Sequence, residues 1–127
     1  MVRAGETIVI VPTRRAANGR AVLALPKGHV DPGENAAQAA QREVREEAGI
    51  EAKLVSELGE VRYWYQRSGR RIPKVVTFFL FDYVSGDVAD HDHEVEVARW
   101  ISLEEAQRTL SYKGEREMVG RAVGFRR

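Results

Sequence analysis

The chain contains no cysteine. Disulfide frameworks and thiolate metal sites are therefore excluded, and a chain without cross-links suits the reducing cytoplasm. Long apolar runs are missing too. Stretches such as TIVIV at 7–11 and VVTFFLF at 75–81 are far shorter than the ~20 residues that span a bilayer. The opening MVRAGETIV has neither the apolar stretch nor the small-residue cleavage site of a secretory signal. An excess of one charge is also absent: Lys+Arg 20 against Asp+Glu 19 leave +1, which argues against a nucleic-acid polymer or a membrane surface as partner.

What is present is an ordinary globular composition, 43% hydrophobic and 31% charged in 127 residues. That is enough for one domain over 1–127 that buries a core without staples. Strand and helix signals alternate without a linker. Residues 7–11 are β-branched and read as a buried strand closed by Pro12, PTRRAANG is a turn-rich loop, and RAVLAL at 20–25 is a second strand candidate. Residues 53–66 and 73–85, rich in Val, Phe and Tyr, predict a hairpin joined through QRSGRR. EVARWIS at 96–102 is a last short strand. Ser102 and Glu105 form a capping box for a helix to about Leu110, and EREMVGRAV predicts a closing helix. The pattern is that of an α/β layered domain, a mixed sheet with helices on its faces.

The stretch GHVDPGENAAQAAQREVREEAGI, residues 28–50, carries the chemistry. Asn35 is a good N-cap, Gln38 completes a capping box, and Gly49 sits where a left-handed residue would end the helix. Ala37, Ala40, Val44 and Ala48 form an apolar stripe. Glu43, Glu46 and Glu47 fall within about 100° of arc on the neighbouring face. Glu43 and Glu47 lie one turn apart, a like-charge spacing that destabilises an isolated helix, and they occupy the last turns, where the helix dipole opposes negative charge. A solvated face with Arg42 pairing Glu46 is one reading. The preceding PKGHVDPGE favours another, because this tight loop can bring backbone carbonyls and the Lys27 ammonium toward the same face. Clustered carboxylates with oxygen co-ligands suit Mg²⁺ or Mn²⁺, held together with substrate phosphates. A bound cation would offset the repulsion.

With Gly28, Glu34, Arg42-Glu43-Val44, Glu46-Glu47 and Gly49-Ile50 at gaps of five, seven, one and one residues, the chain resembles the Nudix family at every defined position of its box. The resemblance implies an α/β/α sandwich and cation-dependent hydrolysis of a diphosphate bond in a nucleotide substrate. It implies Glu43 and Glu47 as metal ligands, Glu46 as a ligand or the base that activates water, and the Gly28 carbonyl as a further ligand. Arg42 would orient a glutamate, and Glu34 would be structural. Bound cations neutralise bridging phosphate oxygens and lower the pKa of a water. Cationic side chains stabilise the leaving phosphate, with Lys27 first and Arg70, Arg71 and Lys74 next.

Outside the box, LPKGH, YWY at 63–65, Lys74 and EVEVARWISLEEA are similar to the small bacterial diadenosine tetraphosphate hydrolases. That similarity implies asymmetric cleavage to ATP and AMP, with Tyr63 or Tyr65 stacking on adenine. The alternative is that these tyrosines are one face of a packed sheet, with Trp64 on the other. Glu94 is expected as a further metal or base carboxylate, ahead of Glu96, while His91 and His93 around Asp92 read as solvated loop residues. Two features depart from the pattern. Leu23 and Ala24 stand where related enzymes carry an aromatic, and the opening strand of the family is expected to be missing, unless Ala4-Gly5 is its remnant. A bare sheet edge would favour a homodimer. Pyrophosphohydrolysis of nucleoside triphosphates such as oxidised dGTP is the rival activity. A nucleotide-binding module without catalysis is the rival class, and the intact Glu43, Glu46 and Glu47 speak against it. Gln66, where hydrolases of ADP-ribose tend to carry proline, lowers that substrate.

Overall fold

The computed structural model describes residues 2–3, 5–13 and 19–125. Five strands form one sheet: β1 (Val2–Arg3), β2 (Glu6–Pro12), β3 (Ile50–Arg67), β4 (Arg70–Gly86) and β5 (Val95–Ser102). Their spatial order is β3-β4-β1-β2-β5. The pairings are antiparallel except β1 with β4, so the sheet is mixed. Helix α1 (Ala36–Ala48) packs on one face, and α2 (Leu103–Thr109) and α3 (Lys113–Phe125) pack on the other. The result is an α/β/α sandwich.

The unbroken apolar run of β2 follows from this layering, since a strand covered on both faces has no side for water. Ile8 and Ile10 pack with Val44 and Ala48 of α1, whereas Val9 packs with Leu103, Ala106, Met118 and Val119. The β3–β4 hairpin extends beyond the predicted limits at both ends. Its tip, Ser68-Gly69, has φ of 52° and 75°, the left-handed pair that lets two residues reverse a twisted ribbon. Register shifts along β3 add to that twist.

Both signals that bound α1 are realised. Asn35 and Gln38 exchange side-chain to backbone hydrogen bonds of 2.9 Å each, and Gly49 ends the helix at φ 74°. Gly86 passes so close to this end that a Cβ there would lie 2.6 Å from the Gly49 carbonyl oxygen. The C-terminus of α1 is thereby seated on the end of β4.

Three expectations meet a different outcome. RAVLAL is not a strand: Ala24 alone pairs, exchanging N–H···O bonds of 2.8 and 2.9 Å with Ile10, because its neighbours are bonded to the helical layer instead. Ala39 rather than Ala37 joins Val44 and Ala48 in the buried stripe of α1. The first turns of that helix stand over an apolar cavity of about 210 Å³ lined by Ala36, Ala39 and Ala40 together with Val76, Phe78 and Phe79. Where the opening strand was expected to be missing, the two-residue β1 bridges β4 and β2, while Ala4 and residues 14–18 lie outside the described residues.

Candidate active site

The acidic face of α1 does not present three equivalent carboxylates. Glu43 and Glu47, one turn apart on the same face, each weigh on the other's ionisation. Burial is the main cause that pushes Glu47 up to about 8, and the negative charge of Glu43 adds to it. The backbone N–H of Lys27, donating to Glu47 Oε1 at 2.8 Å, works against that rise. Glu43 is raised as well, by burial, against the pull of the Arg42 guanidinium. Two carboxyls at such range cannot both ionise cheaply without a nearby positive charge. Glu46, by contrast, has 49% of its side chain exposed and faces Arg42 Nη1 at 3.1 Å.

Gly28 makes room for this pair. A Cβ at that position would overlap the Glu43 carboxyl, so a side chain there would displace the acid. The loop around Gly28 is fixed mainly by Arg42. Its Nε meets Glu34 Oε2 at 2.8 Å, Nη1 meets Glu43 Oε1 at 2.8 Å, and Nη2 donates to the His29 carbonyl at 2.9 Å. Asp31 Oδ2 stands 3.3 Å from the same Nη2. One planar cation thus ties the loop to the helix, the kind of forked recognition a lysine cannot copy. Glu34 is lowered by Arg42 first and by the Asp31 N–H second, and Arg42 is raised in return, most by Glu34.

Lys27 is placed differently from its expectation. Its backbone reaches the acidic face, but its ammonium turns away and pairs with Glu115 Oε2 at 3.0 Å. Glu115 lies on α3 with none of its side chain exposed. Its Oε1 accepts the Leu25 N–H at 2.7 Å, and its Oε2 also accepts the Tyr63 hydroxyl. The rings of Tyr63 and Tyr112 meet edge to face at 5.1 Å, and Lys27 Nζ stands 5.2 and 5.1 Å from their centroids. Tyr63 is therefore enclosed beside a buried anion, and burial followed by the Glu115 charge raises its phenol. Tyr63 is partly buried, with its hydroxyl committed to Glu115 and its ring in contact with Tyr112.

Glu115, Tyr112 and Ser111 escaped the sequence reading. The signal was available, since Glu115, Met118, Val119 and Ala122 follow helical spacing and all four are buried. A carboxylate on the apolar stripe of a helix is rarely left without a partner.

The remaining candidates are spread along the hairpin and the late loop. Lys74 Nζ stands 3.3 Å from His29 Nε2, beside Gly28. Tyr65 is 41% exposed, and Arg71 lies over the ring of Trp64 at 4.4 Å, on the opposite face. The Glu94 side chain is exposed. Its backbone carbonyl accepts from Thr13, and the Asp92 N–H of the same loop donates to the Glu46 carbonyl at 3.0 Å. Among the described residues no three acidic or histidine side chains are gathered as a metal cluster. The arrangement that fits a hard cation is smaller: two carboxyls one turn apart, all-oxygen donors, and a backbone with no Cβ in the way.

A family model described as NUDIX domain matches residues 1–121. The chain is 40% identical over 101 residues to a Mycobacterium tuberculosis protein provisionally named mutator protein MutT4, covering 80% of this chain and 41% of that one. It is 38% identical over 94 residues to bis(5'-nucleosyl)-tetraphosphatase (asymmetrical) of Mus musculus, covering 69% of this chain and 60% of that one. The structure is similar to that of a Caenorhabditis elegans Ap4A hydrolase binary complex, with a TM-score of 0.71, 29% identity, and coverage of 94% and 85%. The chain spans less than two thirds of the length of either sequence relative.

Proposed function

Because the chain belongs to the Nudix hydrolases, which act on phosphoanhydride bonds of nucleotides and generally use divalent metal ions, we propose that it cleaves diadenosine tetraphosphate asymmetrically into ATP and AMP, with Mg²⁺ as its cation. The observation that carries the hydrolytic reading is the Glu43–Glu47 pair set against Gly28. Two acids forced together need a cation, and this pair sits where the family box places its glutamates. The choice of a dinucleoside polyphosphate is supported by the likeness to the tetraphosphatase and the Ap4A hydrolase.

Glu43, Glu47 and the Gly28 carbonyl would hold the cation. When bound, Mg²⁺ or Mn²⁺ supplies neutralisation of the bridging oxygens and a water of lowered pKa. The chain's own residues do the rest. Glu43 and Glu47 would serve the cation as carboxylates, with any proton on Glu47 passing to solvent. Glu46, exposed and steered by Arg42, accepts a proton from the attacking water, and Arg42 keeps the loop at a fixed distance from the helix. Lys74 and His29, side by side on the open edge of the loop, meet the phosphate chain. Tyr65, 41% exposed, or the partly buried Tyr63 meets a base. The likeness to the mutator protein supports a second reading, pyrophosphohydrolysis of a nucleoside triphosphate such as oxidised dGTP, which needs no second base platform.

The test is incubation of the purified protein with Mg²⁺ and, separately, diadenosine tetraphosphate, oxidised dGTP and ADP-ribose, with chromatography of the products beside a Glu47→Gln control. ATP plus AMP, lost in the control, is the expected result. Monophosphate plus pyrophosphate from the dGTP analogue alone would replace this reading with the second one.

A further inference from the structure

The extended segment from Leu23 to Lys27 leads directly into Gly28, and the helical layer grips its odd-numbered residues. Leu23 exchanges two bonds with Ser111, its N–H donating to Ser111 Oγ at 2.8 Å and its carbonyl accepting the Ser111 N–H at 2.9 Å. Leu25 donates its N–H to Glu115 Oε1, and Lys27 brings its ammonium to Glu115 Oε2. On the other edge, Ala24 is bonded to β2 and the Lys27 N–H to Glu47. The segment is thus stretched between β2 and the 111–115 corner, and its far end is the backbone that touches the acidic pair.

A carboxylate removed from water costs the fold more than an apolar residue of similar size would, even when it is paired. Glu115 holds two parts of the chain that no apolar residue could hold, a backbone N–H and a side-chain cation two residues on. The rings of Tyr63 and Tyr112 stand beside that ammonium. We propose that Glu115 is a positioning residue of the hydrolase: through Leu25 and Lys27 it fixes the strand that presents the Lys27 N–H to Glu47 and the Gly28 backbone to Glu43. It touches neither substrate nor cation. This inference rests on the hydrolytic reading of the site, but its structural half, the setting of the loop, is measurable without activity.

The experiment uses two readouts on the full chain. Glu115→Gln keeps the shape and the acceptor for Leu25 but loses the charge that holds Lys27. Its hydrolysis of diadenosine tetraphosphate is expected to fall by about tenfold or more in kcat with KM changed less than about threefold, at a temperature well below its unfolding midpoint. A side chain that serves the fold alone would lower the midpoint and leave kcat per folded molecule unchanged. In a Lys27→Met background the same substitution is expected to change kcat by less than about twofold, because residues that act through one another are not additive.

Amide hydrogen exchange is the second readout. Faster exchange over 25–28 in Glu115→Gln, with α1 unaltered, is expected. Unchanged exchange together with wild-type kcat overturns the proposal, as does full additivity with Lys27→Met. If the wild-type chain hydrolyses none of the substrates yet the loop loosens in the variant, the hydrolytic reading fails and the setting of the loop stands.

Discussion

Lys27 links a buried carboxyl, Glu115, to a partly buried pair, Glu43 and Glu47, and the two are solved in opposite ways. On α3, Glu115 has its counter-charge supplied by the protein: an ammonium, a phenol and a backbone N–H surround it, and it is complete as it stands. On α1, Glu43 and Glu47 have each other, one flank of Arg42 and one N–H, and both are pushed above the ordinary carboxyl range. The first is a fastening, and the second is a demand for positive charge from outside. A buried acid is informative about ligands only when its internal partners fall short.

The comparison breaks most completely at Glu47. Glu47→Gln should lower hydrolysis by about a thousandfold, since it would remove an oxygen donor from the proposed cation site. The same variant should be as stable as the wild type or more so without metal at pH 8, because the repulsion with Glu43 is gone; steady-state kinetics and thermal unfolding check the two halves. Gly28→Ala comes next. A methyl group that displaces the Glu43 carboxyl should cost about a hundredfold in rate through misplacement, and Mn²⁺ titration calorimetry should show the matching loss of affinity.

The pH dependence sharpens the contrast. The folded state holds a proton on Glu47 up to about 8, whereas the ordinary carboxyl loses it near 4.5. Stability from this group is therefore complete below pH 4.5 and declines as pH rises to about 8. Metal-free unfolding midpoints should fall over that window, Mg²⁺ should restore stability at pH 8 far more than at pH 5, and Glu47→Gln should flatten the slope. Arg42→Lys should reduce cation affinity by about tenfold, in line with the loss of a residue that orients ligands. At the bottom of the scale, Arg45→Ala should change stability by no more than about 0.5 kcal/mol by denaturant unfolding, because the Arg45–Glu51 pair is half exposed on both sides.

The legible parts of the molecule are the local ones. The caps of α1, the spacing of Glu43 and Glu47, the hairpin joined through QRSGRR and the buried apolar run of β2 are all decided within a few residues, and each reads correctly from the string. The side-chain placements that the sequence could not show are those whose partners are distant. Lys27 looks like a loose loop cation and Tyr63 like an open strand aromatic until Glu115 arrives from residues 88 and 52 further along the chain. RAVLAL has strand propensity, yet only Ala24 finds a strand to pair with, because Ser111 and Glu115 claim its neighbours. The expected arc of about 100° holds Glu43, Glu46 and Glu47, and Glu46 lies on its exposed side, paired with Arg42.

The bond between Leu25 and Glu115 spans 90 positions of sequence, whereas the β3–β4 ribbon and α1 close over short stretches. Closing a long loop is entropically the dearest step and tends to come late in folding. A chain emerging from synthesis would therefore own its acidic helix and its hairpin before α3 exists to tension the segment beneath them. On the proposed role of Glu115, catalytic competence would wait for α3, and truncated or stalled chains would carry the acidic pair without the taut strand beneath it.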